Sequence, residues 1–555
     1  MTLKQTISLV FATLLASQAT AQSTLIKNIN GYTLDKKNLT KFSAIAITKD
    51  KITRVYRADE TPIIDNSTQV IDGEGKTMLP GLIDAHGHVL GYGHSLLRVD
   101  LAASTSEQSA VALAAKYTAE NPTLSWVLGR GWNQENWPSK NFPTAKSLDE
   151  MFPDTPVWLR RVDGHAGWAN SKAMALAGIT AATVSPEGGE IIKDKSGQPT
   201  GVFIDNAMAL MTKEIPQPTR LEDKMALVKA MKSLASMGLT SVHDAGIDRN
   251  NIDLYKELAG ENNMTIRING MLYLPSDGWQ QQLSQGPFQT KDSFFTFNSV
   301  KIQADGALGS RGASLIGDYS DHAGHKGLML HDTKTLQRYI DTAMNAGFQV
   351  NTHAIGDNAN KQILDLYQTS IEKTKTAKLR HRIEHAQVLR MQDISRFSSL
   401  NIIASMQATH ATSDKNMALA RLGEQRILGS YAWRTLLDSN VVIAAGSDFP
   451  VESPNPFYGL HASITRQDHN DSPKGGWYKK QKMTKTEALR SFTIDAAYSG
   501  HQEQLIGSLA SGKQADFILI NKDIFTSAEN KIWNTEVLQT WVAGKKVFAK
   551  ESTNN

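Results

Sequence analysis

LPGLIDAHGH, residues 79–88, decides how the rest of the chain is read. Pro80-Gly81 introduces a short apolar run that ends in His86 and His88. Side chains two apart on a strand point to the same side, so both imidazoles can hold one metal ion from a strand end. An isolated His-x-His pair is more readily a polar loop. The weight comes from four downstream residues in order: Lys301 in SVKIQADGA, His353 in QVNTHAIGD, His385 in HRIEHAQ and Asp448 in VIAAGSDFP. Each closes an apolar, strand-like run, and each offers or could offer a ligand atom.

The spacing suits an α/β architecture, a (β/α)8 TIM barrel, in which each unit takes roughly 30 residues. Lys301 to His353 and His353 to His385 are each about one unit by that measure, and His385 to Asp448 is about two. The intervening strand is visible as NIIASMQ, and TSVHDAG and TIRINGMLYL supply two strands before Lys301. His86 and His88 then fall on strand 1, Lys301 on strand 4, His353 on strand 5, His385 on strand 6 and Asp448 on strand 8. The interval from His88 to the strand-2 histidine, His243, is too long for one unit. It predicts an insertion on the order of 120 residues after strand 1, placed at 95–235. The insertion is rich in Trp and Gly (LGRGWNQENWP, WLRRVDGHAGWANSKAMALAG). Barrel active sites lie at the C-terminal face, so an insertion there is expected to act as a lid or substrate-binding subdomain.

Outside the barrel, assigned to 79–504, both ends look β-like. Residues 22–78 contain SAIAI and ITRVY; residues 505–555 contain QADFILI and VLQTWVAGKKVF. Neither is long enough for a stable sheet alone, and pairing them into one small β-domain would satisfy both. The first residues, MTLKQTISLVFATLLASQATAQ, have the three parts of a secretory signal: Lys4, a short apolar stretch and an Ala19-x-Ala21 cleavage site. Cleavage near Ala21 and a periplasmic or secreted location are expected. About ten apolar residues are too few for a membrane span, which needs about 20.

The 555-residue chain is 40% hydrophobic and 21% charged with a net charge of +4, the balance of a globular protein. It has no long basic run and no phosphate-binding glycine loop, so neither nucleic acid nor nucleotide is an expected partner. It has no cysteine, which excludes disulfides, thiolate ligands and a cysteine nucleophile.

Neutral imidazoles are the usual ligands of Zn²⁺ and similar ions. His353 and His385 read as ligands of a second metal beside the His86/His88 pair. Asp448 would be costly as a buried, unpaired carboxylate; a metal and its water are natural partners, making Asp448 ligand and proton shuttle. A lysine ammonium cannot bind a metal. Lys301 is either a carbamate, whose two oxygens can bridge two ions, or a lysine salt-bridged to the nearby Asp305. The ordered set points to a metal-activated water as the reactive species.

With these motifs in place, the chain resembles the amidohydrolase superfamily, in its N-substituted formamide deformylase-like (YtcJ-like) branch. LPGLIDAHGH, DGHAGWANSKAMALAGI, VKIQADGALGSRGA, THAIGD, RIEHAQ, GSDFPV and IGSLASGKQADFILI stand in that family's order across nearly the whole mature chain. The resemblance implies a TIM barrel with a small β-sandwich from both termini and a centre of one or two metal ions, usually zinc. His86, His88 and Asp448 would hold one ion, His353 and His385 the other, and Lys301 matches the bridging carboxylated lysine. It implies hydrolysis of an amide or related C–N bond in a small-molecule substrate. Gln407 and His410, in MQATHATSD, would lie near that substrate. His165 and Trp168 could close over it from the insertion, and Arg311, in GSRGA, could contact a carboxylate or carbonyl. Internal packing for Trp168 and a structural ion pair for Arg311 are the competing readings. Two other functions stay open: a carbamate, lactam or dipeptide hydrolase on the same apparatus, and a non-catalytic binding or regulatory protein.

Overall fold

A computed structural model describes residues 23–551 apart from 36–37, 123, 162–165, 187–188 and 310. The signal-like segment and His165 lie outside the described residues.

Eight parallel strands form the barrel: strand 1 (Leu82–Gly87), strand 2 (Leu239–Ile247), strand 3 (Arg267–Leu274), strand 4 (Phe295–Gln303), strand 5 (Gln349–Ala354), strand 6 (Arg382–His385), strand 7 (Ile403–Gln407) and strand 8 (Ile443–Gly446). They neighbour one another in chain order. Strands 8 and 1 meet through two backbone bonds, Asp448 N–H to the His86 carbonyl (2.7 Å) and His88 N–H to the Phe449 carbonyl (2.8 Å). Gly446 permits that approach: a Cβ there would lie 2.6 Å from the His86 nitrogen and 2.7 Å from Asp84 Oδ1. The opposite mouth is plugged by the turn after helix Ile494–Ser499. Asn269 and Asn298 donate to the Gly500 carbonyl, and Gln349 donates to that of Ser499.

Both chain ends build one β-sandwich. A four-stranded sheet (23–27, 44–48, 51–56, 68–72) faces a six-stranded sheet in which 517–520 pairs antiparallel with 77–80, joining the C-terminal strands to the N-terminal ones. Ile26, Ile45, Met78, Phe517 and Trp541 fill the space between. Strand 77–80 therefore belongs to the sandwich, slightly past the expected boundary at 78. The sandwich is pinned to the barrel by Arg267 of strand 3. Its guanidinium grips Asp516, with Nε 2.7 Å from Oδ2 and Nη2 3.1 Å from Oδ1, and both side chains are buried.

The insertion is smaller than the expected 95–235. Helix Arg220–Ser236 carries a capping box, Thr219 with Glu222, and packs with helix Val89–Leu96 in the barrel core through Tyr92, Leu227, Met231 and Leu234. These residues belong to the barrel because their apolar faces cover it. Between the two helices, residues 99–205 form a separate six-stranded sheet. Trp132, Trp137 and Trp168 fill one of its cores; Trp158, Phe203 and Met174 fill the other. No described helix is long and apolar enough to cross a membrane.

Candidate metal centre

The C-terminal ends of the strands surround a cavity of about 620 Å³ lined by His86, His88, Lys301, His353, His385, His410 and Asp448. A larger cleft of about 1170 Å³, between the sandwich and the barrel, contains none of these groups. The backbone turns sharply at two of them. His385 and Asp448 have φ of 74° and 60°, a region non-glycine residues seldom occupy and one enriched at functional sites. At Asp448 the turn swings the carboxylate back across strand 1. Its Oδ1 lies 3.0 Å from His88 Nε2 and 3.6 Å from His86 Nε2, and its Oδ2 lies 3.8 Å from His410 Nε2.

Two overlapping ligand groups result. His86, His88 and Asp448 form one; His385, His410 and Asp448 form the other; within each, the ligand atoms lie within 4.8 Å of one another. The sequence pairs His353 with His385 as the second set. The structure brings His410 into the group with His385, while the His353 ring stands 4.5 Å from that of His385, centroid to centroid. His353 Nε2 lies 3.5 Å from Asp305 Oδ1 without hydrogen-bond geometry. Lys301 Nζ lies 3.1 Å from His86 Nε2. Asp305 is not the lysine's partner: it accepts the backbone N–H groups of Ser314, Ile355 and Gly356 (2.8–2.9 Å) and ties the loops after strands 4 and 5 together.

Outer contacts orient the imidazoles. Gln407 Oε1 accepts from His385 Nδ1 at 2.8 Å. His86 Nδ1 bonds the fully buried Glu384. An acceptor on Nδ1 leaves Nε2 as the lone pair facing the cavity. Glu384 is itself clamped by Arg382, with Nε 2.8 Å from Oε1 and Nη2 3.2 Å from Oε2. Asp84 takes the His86 N–H and the Ser447 hydroxyl (2.6 Å), holding strands 1 and 8 in register.

Burial, then the Lys301 charge, holds the His86 imidazole down at about 4 despite Glu384. The same two causes, burial first, hold His353 at about 3. Burial and the neighbouring histidines keep His385 well below the ordinary value. These three rings are neutral at pH 7. Burial pushes Asp448 up, but the His88 hydrogen bond and the surrounding imidazoles prevail, and it stays ionised. Nε2 of His353 and of His410 is buried with no hydrogen-bond partner, an unfavourable state for a polar atom. Neutral imidazole nitrogens converging on an ionised carboxylate fit a borderline divalent cation with N/O preference.

The protein-family comparison agrees with this geometry: residues 69–548 match the amidohydrolase family model. The chain belongs to the amidohydrolase family. Within it, YtcJ of Bacillus subtilis (strain 168), an amidohydrolase by name, is 32% identical over 87% of this chain and 91% of its own length. The N-substituted formamide deformylase of Arthrobacter pascens is 25% identical over 94% and 97%. The Arabidopsis thaliana protein LONG AFTER FAR-RED 3 is 32% identical over 87% and 84%. These relatives place this amidohydrolase in the YtcJ-like branch. The fold is shared with a metal-dependent hydrolase from Pyrococcus furiosus (TM-score 0.75, 24% identity, 91% of this chain and 100% of that one).

The remaining expected site residues fare differently in this amidohydrolase. His410 lines the cavity. Gln407 does not line it; it sits behind His385, where its amide is taken up by the ring. Trp168 is a correction: it is fully buried in the insertion, its indole N–H donating to the Thr144 carbonyl (2.9 Å), and its ring packs edge-on to Trp132. Arg311 is another: it pairs with Asp321 at 3.0–3.1 Å and stands outside the cavity lining. Glu384 and Arg382 escape the sequence reading. Their signal is two opposite charges, two apart, on the four-residue strand RIEH that ends in the ligand His385; such charges require partners on the same face.

Proposed function

We propose that this amidohydrolase cleaves an amide-type C–N bond, outside peptide bonds, in a small molecule, and that it does so with bound divalent metal, zinc by preference. The observation that carries this reading is the convergence of His86, His88, His385, His410 and Asp448 on one cavity. The 25%-identical formamide deformylase supports the bond class. The signal-like N-terminus supports action in the periplasm or outside the cell.

His86, His88 and Asp448 would hold one ion, and His385 with His410 or His353 a second. Burial lowers the Lys301 pKa, which favours the free amine that a carbamate bridge needs. The metal, when bound, would polarise the scissile carbonyl and acidify water. Asp448 does the proton work. Oδ1 lies on the side of His86 and His88, where it would serve the ion they hold, while Oδ2, facing His410, is placed to take the proton of the attacking water and return it to the departing nitrogen. Where His353 completes the second site, His410 Nε2, unpartnered on the cavity wall, is instead placed to contact the oxygen on which charge develops. Neutral, pre-oriented His86 and His385 need no deprotonation before binding metal.

The test is metal content of protein purified without chelator, together with turnover of N-formyl and N-acyl amines by wild type and Asp448→Asn. Expected are one or two zinc equivalents per chain and loss of at least about a hundredfold in turnover, the scale of a lost general base. A protein that takes up no metal on reconstitution would rule the reading out.

A further inference from the structure

The cavity beyond the ligands is two-sided. Strands 2 to 5 and their loops contribute Ala245, Gly246, Tyr273, Leu308 and Ile355, with Gln303 an uncharged polar group among them. Across the barrel, the segments after strands 7 and 8 contribute Ser413, Asp414 and Glu452. Lys301, in the centre itself, is the one Lys or Arg among the described lining residues, since Arg311 is turned away onto Asp321. Asp414 is occupied: its Oδ2 accepts from the Tyr431 hydroxyl (2.6 Å) and the Gln387 amide (3.2 Å). Glu452 is not. Ser413 donates to its Oε1 at 2.5 Å, and no described Lys, Arg or His lies within ion-pair distance of it, His469 acting on it only through its field. Ser413 stands three residues beyond His410 on helix Ala408–Asp414, about 4.5 Å along its axis. Glu452 lies four residues beyond Asp448.

On the hydrolase reading above, we propose that Glu452 is the specificity-determining residue and that the substrate carries a cationic nitrogen a few bonds from the scissile amide. The apolar wall takes the uncharged part, and Glu452 takes the cation. A carboxylate on the wall disfavours an anionic substrate as it favours a cationic one. The remaining Glu452 oxygen has room for one more donor, because Ser413 satisfies only the first.

The experiment uses three matched probes on the metal-loaded full-length protein: N-formyl-1,4-diaminobutane (cationic), N-formylpentylamine (neutral) and 5-(formylamino)pentanoate (anionic). Affinity is read by calorimetry and turnover by release of the amine. Wild type should prefer the cationic to the neutral probe by about two- to fivefold, the scale of one partly exposed ion pair, and bind the anionic probe worst. Glu452→Gln, which keeps the Ser413 hydrogen bond, should erase the preference without changing metal content. Glu452→Lys should reverse it toward the anionic probe. No preference in wild type, no binding of the cationic probe, or a preference that survives in Glu452→Gln would overturn the proposal. A cation preference without turnover of any probe would leave Glu452 standing and count against the reaction assigned above.

Discussion

Gln407 Oε1 sits 2.8 Å from His385 Nδ1, at the end of one strand and behind the ligand of its neighbour. That contact sets the tautomer of His385 and aims its Nε2 at the cavity. Gln407→Leu removes the acceptor and keeps the volume. Metal affinity, read by competition with a chromophoric chelator, should fall about 10- to 100-fold, with the melting temperature of the metal-free protein nearly unchanged. Wild-type affinity in the variant would show that packing alone orients the ring.

Glu384 and Arg382 act as a buried pair, with exposures of 0% and 1%. Arg382→Met alone leaves a buried carboxylate held only by His86 and should destabilise the chain by about 3–5 kcal/mol in denaturant unfolding. Arg382→Met with Glu384→Gln restores neutrality and should recover the part of that loss owed to the unpaired carboxylate, while the Ala85 carbonyl and Ser405 stay without their Arg382 donor in both variants. Metal affinity should stay depressed in the double variant, because His86 keeps only a neutral acceptor on Nδ1. Recovery of both quantities would make the pair purely structural.

Trp168, expected at the substrate, lies in the insertion core instead. Trp168→Ala should therefore cost about 3–5 kcal/mol, seen as early proteolysis of the 99–205 sheet. On a truly substrate-contacting tryptophan the main loss would be in KM at undiminished stability.

Glu487 reports on acid stability away from the centre. Burial raises its pKa, but Arg434 (2.8 and 2.9 Å) and the Thr484 cap prevail and hold it at about 2. A carboxylate depressed on folding stabilises the chain above its unfolded pKa, and that stability is lost as pH falls through the folded value. The contribution, about 1 kcal/mol after allowing for the partly exposed pair, should be present at pH 5 and above and fade between about pH 4.5 and 2. Glu487→Gln should lower stability at pH 7 and converge with wild type near pH 2; a constant gap across that window would contradict this assignment.

Much of the centre is legible in the sequence. Strand periodicity puts His86 and His88 on one side, and the ends of apolar runs mark Lys301, His353, His385 and Asp448, because parallel barrel strands deliver their C-terminal ends to one face. Local pattern also locates the insertion, and composition excludes thiolate chemistry. Partner choice is not legible. Whether Arg311 meets a ligand or Asp321, whether Trp168 faces a cavity or Trp132, and whether His353 or His410 joins His385 depend on contacts between segments distant in the chain. Gln407 and Glu384 are the sharpest cases: Gln407 meets His385 because strands 6 and 7 are neighbours, and Glu384 meets His86 across the barrel interior, from strand 6 to strand 1. Sequence determines which way each side chain points along its own strand; only tertiary packing decides which side chain it meets, because register between strands is set by the closed barrel as a whole.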